Sequence, residues 1–290
     1  MSSVRLNAGS LSAGRMAPEL PVDVLDTLVA PLAPITLDEL VAAASLLTRV
    51  DRKYVVAVTD LPLVLGAVPD STRVLDIAGR RAFGYRSTYL DTPELRSYFD
   101  AGRRHRRRFK VRTRRYLDGD TSRLEVKTRA GRDVTVKTRI AHPEVSDDAG
   151  LTAEGLAFVD AELAGGRIRH VRATSLAPVL TTSYDRATLY LPESASRATI
   201  DVDLGWTTSD ALGGRDLERP GLAIVETKTG STPSALDHVL WRHGHRPVCT
   251  SKFGTGMAAL VPGLPDLKWN RTLRRDLAVA PSPRPDLTQE

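Results

Sequence analysis

The sequence has very little cysteine and no long hydrophobic run. Cys249 is the single cysteine among 290 residues, which excludes an internal disulfide and a zinc site with several thiolate ligands. No stretch approaches the roughly 18 apolar residues that a membrane-spanning helix needs, and the N-terminal residues lack the apolar segment of a signal peptide. We therefore expect a soluble protein without a membrane span, in a reducing compartment, with the cytoplasm as the default location.

Lysine is scarce for a basic protein. The chain carries 41 Lys and Arg against 35 Asp and Glu, a net charge of +6, and most of its basic residues are arginine. This charge favours an anionic partner such as phosphate, nucleic acid or an acidic membrane. Because an ammonium group is a compact point charge and a guanidinium is a planar fork, the retained lysines indicate positions where a point charge matters. They are Lys53, Lys110, Lys127, Lys137, Lys228, Lys252 and Lys268.

Composition predicts one folded domain between two tails. Residues 1–34 are rich in Ala, Ser, Pro and Gly, and residues 264–290 carry several Pro, so both are predicted to be flexible tails around a domain at 35–263. Capping residues and apolar patterns predict four helices in that domain. They are expected at 36–47, opened by a Thr36 and Glu39 capping box, at 60–67, at 152–164, and at 233–243 with Thr232 as N-cap.

Between the helices, charged and apolar residues alternate with a period of two in at least seven segments, which predicts β-strands. For any single strand, a charged face turned to bulk water is an adequate explanation. Tight hairpins would join these strands into one sheet, however, and about ten clustered cations repel one another unless anions lie among them. We therefore predict an α+β fold in which an antiparallel sheet curls into a polar-lined β-barrel tunnel, with flanking helices on its apolar face.

One basic run has two interpretations. Residues Arg103 to Arg108 include five arginines, a composition found in arms that bind nucleic acid. Ala101-Gly102 directly before the run predicts a hairpin turn. We therefore interpret the run as the solvated end of a strand, and we do not expect nucleic acid to be the partner.

Eight short strings occur in order over about residues 36–262. They are TRVDRKY, STYLDTPELRSYFDAG, FKVRTRRY, LEVKTRAGRDVTVKTR, TSYDRATLY, RATIDVDL, VETK and SKFGTGMAAL. Their order and spacing resemble the polyphosphate polymerase (vacuolar transporter chaperone, VTC) domain of the triphosphate tunnel metalloenzyme superfamily. The resemblance implies the triphosphate tunnel fold, in which a basic wall holds a chain of phosphates and an acidic residue holds Mn²⁺ or Mg²⁺.

The resemblance also implies roles for individual residues. Residues expected to contact the reacting phosphates are Lys53, Arg112, Arg114, Lys127, Arg186 and Lys252. Residues expected to bind the rest of the substrate are Lys110, Lys137, Arg139, Tyr184, Arg197, Lys228 and Ser251. The implied metal ligand is Glu226, with Glu125, Asp201 and Asp203 as further candidates, although the two aspartates could orient arginines instead. Asp51 departs from the usual R-x-E-x-K-Y pattern, which places glutamate there.

The function implied by the resemblance is a metal-dependent phosphotransferase that binds ATP and polyphosphate and transfers the γ-phosphate to a growing chain. No nucleophilic side chain is required, because phosphoryl transfer depends on positioning and charge neutralisation. Hydrolysis of triphosphate or nucleoside triphosphates in the same tunnel is an alternative. A non-catalytic polyphosphate-binding module is another, and a nucleic-acid binder is supported only by charge and the arginine run.

Overall fold

The computed structural model describes residues 23–43, 50–119, 121–129, 135–143 and 150–277. They form an α+β fold dominated by antiparallel strands, as the alternating pattern predicted. The strands are β1 Ala33–Ile35, β2 Val50–Ala57, β3 Arg73–Leu75, β4 Ala82–Asp91, β5 Arg108–Tyr116, β6 Thr121–Arg129, β7 Thr135–Ala141, β8 Ala177–Leu191, β9 Ser196–Thr208, β10 Asp216–Arg219 and β11 Leu222–Thr229. The helices are α1 Asp23–Val29, α2 Leu37–Ala43, α3 Leu61–Leu65, α4 Arg96–Gly102, α5 Ala153–Gly165, α6 Ala235–Arg242, α7 Lys252–Leu260 and α8 Asn270–Arg275.

The main sheet follows the order β2-β11-β9-β8-β4-β5-β6-β7, and every pairing along this path is antiparallel. Its end strands, β2 and β7, have no pairing with each other among the described residues. Lys53 of β2 and Lys137 of β7 nevertheless line the same cavity. The sheet therefore curls far enough to bring its two ends around one space, which makes it a tunnel without complete closure.

The apolar face of the sheet is covered by helices. Phe109 and Val111 of β5 pack with Leu124 of β6 under Val159 and Leu163 of α5, and all five side chains are buried. Burying a large apolar side chain contributes about 1.5–3 kcal/mol. A second cluster joins β2, β8, β9 and β11 to α1, α3 and α6. This apolar packing leaves the charged faces of the same strands directed to the interior of the curled sheet.

Helix α7 packs against the interior face of the sheet. Phe253 and Met257 of α7 belong to one buried cluster with Tyr184 of β8 and Ile224 of β11. Each of these two strand residues lies on the same face as a cavity residue two positions further along, Arg186 on β8 and Glu226 on β11. The apolar part of that face is therefore filled by α7, and the charged part remains open beside it. Lys252 at the first position of α7 lines this open part.

The helix predictions are largely confirmed. Thr36 and Glu39 form the predicted capping box, and α2 is described from Leu37 to Ala43, while the remainder of that prediction lies outside the described residues. Thr152 caps α5 through the N–H of Gly155. In the fourth helix the N-cap is Ser234 rather than Thr232, because Asp237 lies three residues after Ser234 and completes its capping box.

Three sequence interpretations differ from the structure. Residues 23–29, predicted to be part of a tail, form α1, whose Leu25 and Val29 are buried in the core. Residues 270–275 form α8, which packs beside α7. Ala101-Gly102 ends α4 instead of forming a hairpin turn, because Asp91 accepts the N–H groups of Ser97 and Tyr98 and thereby supports the start of this helix. In the described ranges, no helix is long and apolar enough to cross a membrane.

Candidate functional site

A charged cavity of about 230 Å³ lies inside the curled sheet. Nine basic and three acidic side chains from the described residues line it, so its wall carries a large excess of positive charge. The lining comes from β2, β4, β5, β6, β7, β8, β11 and the start of α7. It consists of Asp51, Lys53, Tyr89, Lys110, Arg112, Arg114, Glu125, Lys127, Lys137, Tyr184, Arg186, Glu226, Lys228, Ser251 and Lys252.

Glu125 holds two of the cations on one side of the cavity. Its Oε2 accepts from Arg112 Nε at 2.7 Å, and its Oε1 accepts from Lys137 Nζ at 2.6 Å. Burial would raise the pKa of Glu125, but the charges of Arg112, Arg114 and Lys137 outweigh it and lower the pKa to about 2. Both carboxylate oxygens are thus engaged, which makes Glu125 a positioning group for cations rather than an open metal ligand.

Asp201 has the same role on the other side. Arg186 donates from Nε to Oδ1 at 2.5 Å and from Nη2 to Oδ2 at 2.7 Å, and Lys252 also donates to Oδ2. Burial opposes the ionised form of Asp201, but Arg186 and Lys252 hold its pKa well below the usual range. The expectation that an aspartate orients arginines therefore fits Asp201, which lies behind the cavity wall.

Two tyrosine hydroxyls fix the arginines of β5. Arg112 Nη1 donates to Tyr89 Oη at 3.0 Å, and Arg114 Nη2 donates to Tyr184 Oη at 2.9 Å. Tyr184 was predicted from the family pattern, whereas Tyr89 was missed. The signal for Tyr89 was present in the string STYLD, where a tyrosine precedes the buried Asp91 by two residues on the same face of β4.

The Glu226 carboxylate is held more loosely than those of Glu125 and Asp201. Its nearest cations are Lys228 Nζ at 3.3 Å and Lys53 Nζ at 3.9 Å, and 16% of its side chain is exposed to the cavity. Burial would raise its pKa, but Lys53, Lys228 and Arg186 hold the pKa well below the usual range. Glu226 is therefore an ionised carboxylate with long ion pairs at the edge of an accessible space.

Lys110 lies deep in the positive wall. Its Nζ is 3.3 Å from Ser251 Oγ and 5.5 Å from the centre of the Phe253 ring. Burial lowers its pKa well below the usual lysine value, and the charges of Lys53, Lys127 and Lys268 lower it further. Lys127 lies directly opposite Lys110 on β6, and Lys137 lies opposite Lys127 on β7. Like charges in facing positions destabilise a sheet, so this part of the wall favours a bound anion.

Besides Asp201, three predicted residues lie away from the lining. Arg139 of β7 is exposed and pairs with Glu125 of β6. Arg197 of β9 pairs with Lys228 of β11, but Arg197 itself does not line the cavity. Asp203 does not share the face of Asp201, because the pairing with β8 shifts register between Ser183 and Asp185 and Asp203 adopts a φ of 50°. The backbone irregularity leaves Asp203 exposed and turns Leu204 inward. Asp203 is therefore not placed to bind a metal in the cavity, contrary to the prediction.

A divalent cation in the cavity would need carboxylate oxygens as ligands. No cluster of three or more His, Cys, Asp or Glu that could hold a metal occurs in the part of the chain that the structure describes. A hard cation such as Mg²⁺ or Mn²⁺ can be bound by one or two carboxylates together with phosphate oxygens of the substrate. Of the four predicted ligands, Glu226 alone combines an ionised carboxylate with long ion pairs and contact with the cavity.

Comparisons with known proteins identify the family of the chain. The VTC domain profile matches residues 48–261. Among solved structures, HpAC1 from Hippeastrum, described as having a dominant triphosphatase activity, is 13% identical with a TM-score of 0.46, over 76% of this chain and 99% of that one. PH1819 from Pyrococcus horikoshii OT3 is 12% identical with a TM-score of 0.32, over 67% of this chain and 87% of that one. No curated protein matches the chain.

The VTC domain profile covers most of the length of this chain, including every strand that lines the cavity. The chain therefore belongs to the VTC domain family.

Proposed function

We propose that the protein is a metal-dependent, polyphosphate polymerase-like phosphotransferase that binds ATP and polyphosphate in the cavity. The observation that carries this proposal is the enclosed wall of nine basic side chains against three acidic ones. Bound anions relieve the repulsion within such a wall, and a phosphate chain supplies several negative charges in a narrow space. Membership of the VTC domain family supports the same substrate class.

The arginines and the lysines of the cavity bind phosphate in different ways. Arg112, Arg114 and Arg186 are held by carboxylate or tyrosine partners, so their guanidinium groups are fixed before substrate arrives. Fixed guanidinium groups offer paired N–H donors to phosphate oxygens. Lys53 and Lys110 supply point charges that adjust to the position of the chain. This arrangement neutralises the charge that accumulates on phosphate oxygens during transfer.

In the proposed reaction, a terminal oxygen of the polyphosphate chain attacks the γ-phosphorus of ATP in line. The bond between the γ-phosphorus and the oxygen that bridges it to the β-phosphate breaks, and ADP leaves with that oxygen. The chain becomes one phosphate longer. The side chains bind and orient both phosphate groups, and none of them forms a covalent intermediate.

Glu226 is the residue we assign to a divalent cation, Mn²⁺ or Mg²⁺. The fit rests on its ionised carboxylate and its long contacts with Lys53 and Lys228. When bound, such a cation supplies charge neutralisation between neighbouring phosphate oxygens. Glu125 and Asp201 keep their roles as positioning groups, because all of their oxygens are engaged by cations.

The test is incubation of the purified protein with ATP and Mn²⁺, followed by separation of products by chain length. Chains longer than triphosphate are expected. Orthophosphate without longer chains would instead indicate a triphosphate or nucleoside triphosphate hydrolase in the same cavity. Glu226→Gln should abolish turnover and leave metal-free polyphosphate binding intact. A wild type that binds polyphosphate without any turnover would indicate a non-catalytic binding module.

A further inference from the structure

A second basic cavity, of about 490 Å³, lies outside the tunnel. Its basic side chains include Arg246, Lys268, Arg271 and Arg275, whereas Asp276 is its one carboxylate among the described residues. Lys268 and the two α8 arginines come after residue 261, where the VTC domain match ends. The site therefore consists largely of residues that the family profile does not cover.

One segment of chain separates this outer cavity from the tunnel. Residues 244–249 line the outer cavity, while Ser251 and Lys252 directly after them line the tunnel. Val248 N–H donates to the carbonyl oxygen of Lys53 at 2.7 Å, which attaches the segment to β2. Thr272 Oγ1 of α8 donates to the carbonyl oxygen of Cys249 at 3.1 Å. One continuous segment thus contributes residues to both cavities.

The basic residues continue from the tunnel toward the outer cavity. Arg108 lies opposite Arg129, two residues before the facing pair of Lys110 and Lys127, so the positive face continues by about 7 Å along the same strands. Lys268 Nζ donates to the carbonyl oxygen of Ala101, at the end of α4 and beside the start of the arginine run.

The charges of these residues act on one another. Burial lowers the pKa of Lys268, the nearby Cys249 opposes this change, and the charges of Arg108, Arg104 and Arg129 lower the pKa further. Lys268 in turn lowers the pKa of Lys110 inside the tunnel. Lys268 of the outer cavity is therefore close enough to Lys110 of the tunnel for their charges to interact.

We propose that the outer cavity binds the part of a long polyphosphate chain that extends beyond the tunnel. The inference rests on the proposed function, because it requires a phosphate chain in the tunnel. It adds a distinct binding segment, formed by Arg246, Lys268, Arg271 and Arg275, that a triphosphate confined to the tunnel does not reach. Long chains should accordingly bind more tightly than tripolyphosphate, by an amount that depends on this segment.

Cys249 offers a direct readout of occupancy. It is the single cysteine of the chain, it is exposed, and it lines the outer cavity. Its alkylation by the uncharged reagent N-ethylmaleimide should slow about tenfold when saturating long polyphosphate is present, a factor equivalent to about 1.4 kcal/mol. Saturating tripolyphosphate should leave the rate unchanged. Equal protection by both ligands, or protection by neither while both bind, would overturn the proposal.

The matched variants are Arg271→Gln with Arg275→Gln, and Arg172→Gln with Arg274→Gln as the control. All four arginines are exposed, and the control pair does not line the outer cavity. The first variant should lose about tenfold in affinity for long polyphosphate and nothing for tripolyphosphate, whereas the control should keep both affinities. An equal loss of affinity for long polyphosphate in the control would show that the effect comes from overall positive charge, and it would contradict the proposed site.

Two further outcomes are decisive. If single-stranded RNA of matched charge binds the wild type as tightly and protects Cys249 equally, the surface is a general polyanion site and the polyphosphate assignment is wrong. If the wild type binds neither tripolyphosphate nor long polyphosphate, the proposed function fails and this inference fails with it. If tripolyphosphate binds normally but saturating long polyphosphate leaves Cys249 unprotected, the outer site alone is overturned.

Discussion

The carboxylates at the tunnel wall are held in two different ways. Glu125 and Asp201 are almost fully buried, and each is clasped by an arginine and a lysine at hydrogen-bonding distance. Glu226 is partly exposed and reaches its two lysines only at 3.3 and 3.9 Å. Its cations can therefore exchange partners at low cost, while those of the other two carboxylates cannot.

This difference separates residues that maintain the tunnel from residues that respond to ligand. Removing one partner of a buried, fully hydrogen-bonded ion pair strongly destabilises the fold, because the remaining charges are left buried without compensation. A long, partly solvated ion pair contributes little. Mutation of a tightly paired carboxylate should consequently change mainly the free energy of unfolding, whereas mutation of Glu226 should change mainly binding or turnover.

The largest effect is expected for Asp201→Asn. It leaves Arg186 and Lys252 buried without their carboxylate, so the free energy of unfolding should fall by about 3–5 kcal/mol. Urea denaturation measures this change. Asp203→Asn, two residues away on the same strand and exposed, is the matched control and should change stability by less than about 0.5 kcal/mol. Similar losses in both variants would contradict the assignment of Asp201 as an anchor.

A direct comparison of Glu125→Gln with Glu226→Gln sharpens the contrast. Glu125→Gln should lower the free energy of unfolding by about 2–3 kcal/mol, because Arg112 and Lys137 lose a buried charged acceptor. Glu226→Gln should lower it by less than Glu125→Gln does, because the Glu226 ion pairs are longer and its side chain is partly exposed. Urea denaturation without ligand or metal measures both. The reverse order would mean that Glu226 is the structural carboxylate.

The lysines of the wall should make stability and binding depend on pH. Burial lowers the pKa of Lys228 and Lys252 to about 8 from an ordinary 10.5. Between these values the unfolded chain binds more protons than the folded chain, so without ligand these groups make the free energy of unfolding rise with pH. Bound phosphate favours the charged lysines, and binding at about pH 9 should therefore take up protons.

Calorimetry in two buffers of different ionisation enthalpy measures this proton uptake. Lys252→Gln should reduce the uptake, because it removes one of the titrating groups. Arg274→Gln, an exposed residue away from the tunnel lining, should leave it unchanged. Binding without any proton uptake would show that these lysines are already fully charged in the unliganded tunnel.

The smallest change in stability is expected for Lys53→Ala. The Lys53 side chain is 31% exposed and its ion pair with Glu226 is long, so the free energy of unfolding should change by less than about 0.5 kcal/mol. Its loss should nevertheless reduce the stabilisation that polyphosphate provides, because a charged contact with the ligand disappears. Thermal melts with and without polyphosphate measure both quantities, with Arg172→Ala as an exposed control. An unchanged ligand response would remove Lys53 from the binding site.

Much of the tunnel could be predicted from local sequence. Alternation alone placed Lys110, Arg112 and Arg114 on one face of a strand, because side chains alternate regularly along extended backbone. Capping chemistry likewise located the starts of α2 and α5 at Thr36 and Thr152. These features depend on residues a few positions apart, so a single sequence contains the information they need.

The missed features depend on partners that are distant in sequence. Helix α7 contains Gly254 and Gly256, which disfavour a helix locally, but a Cβ on Gly254 would lie 2.0 Å from the Trp269 ring and one on Gly256 2.3 Å from Trp206. Close packing, rather than helix propensity, explains both glycines. The position of Asp203 depends on a register shift against β8, which no pattern within β9 reveals.

The indole of Trp206 provides the tunnel with an optical reporter. Its Nε1–H donates to the carbonyl oxygen of Lys252 at 2.9 Å, and the ring is almost fully buried. A phosphate bound beside the Lys252 ammonium changes the electric field at this indole, whose emission depends on the charges around it. None of the three tryptophans lines the cavity, so the signal depends on the hydrogen bond between Trp206 and Lys252. Entry of each phosphate chain into the tunnel can thus be followed in the unlabelled protein, in real time, through its own fluorescence.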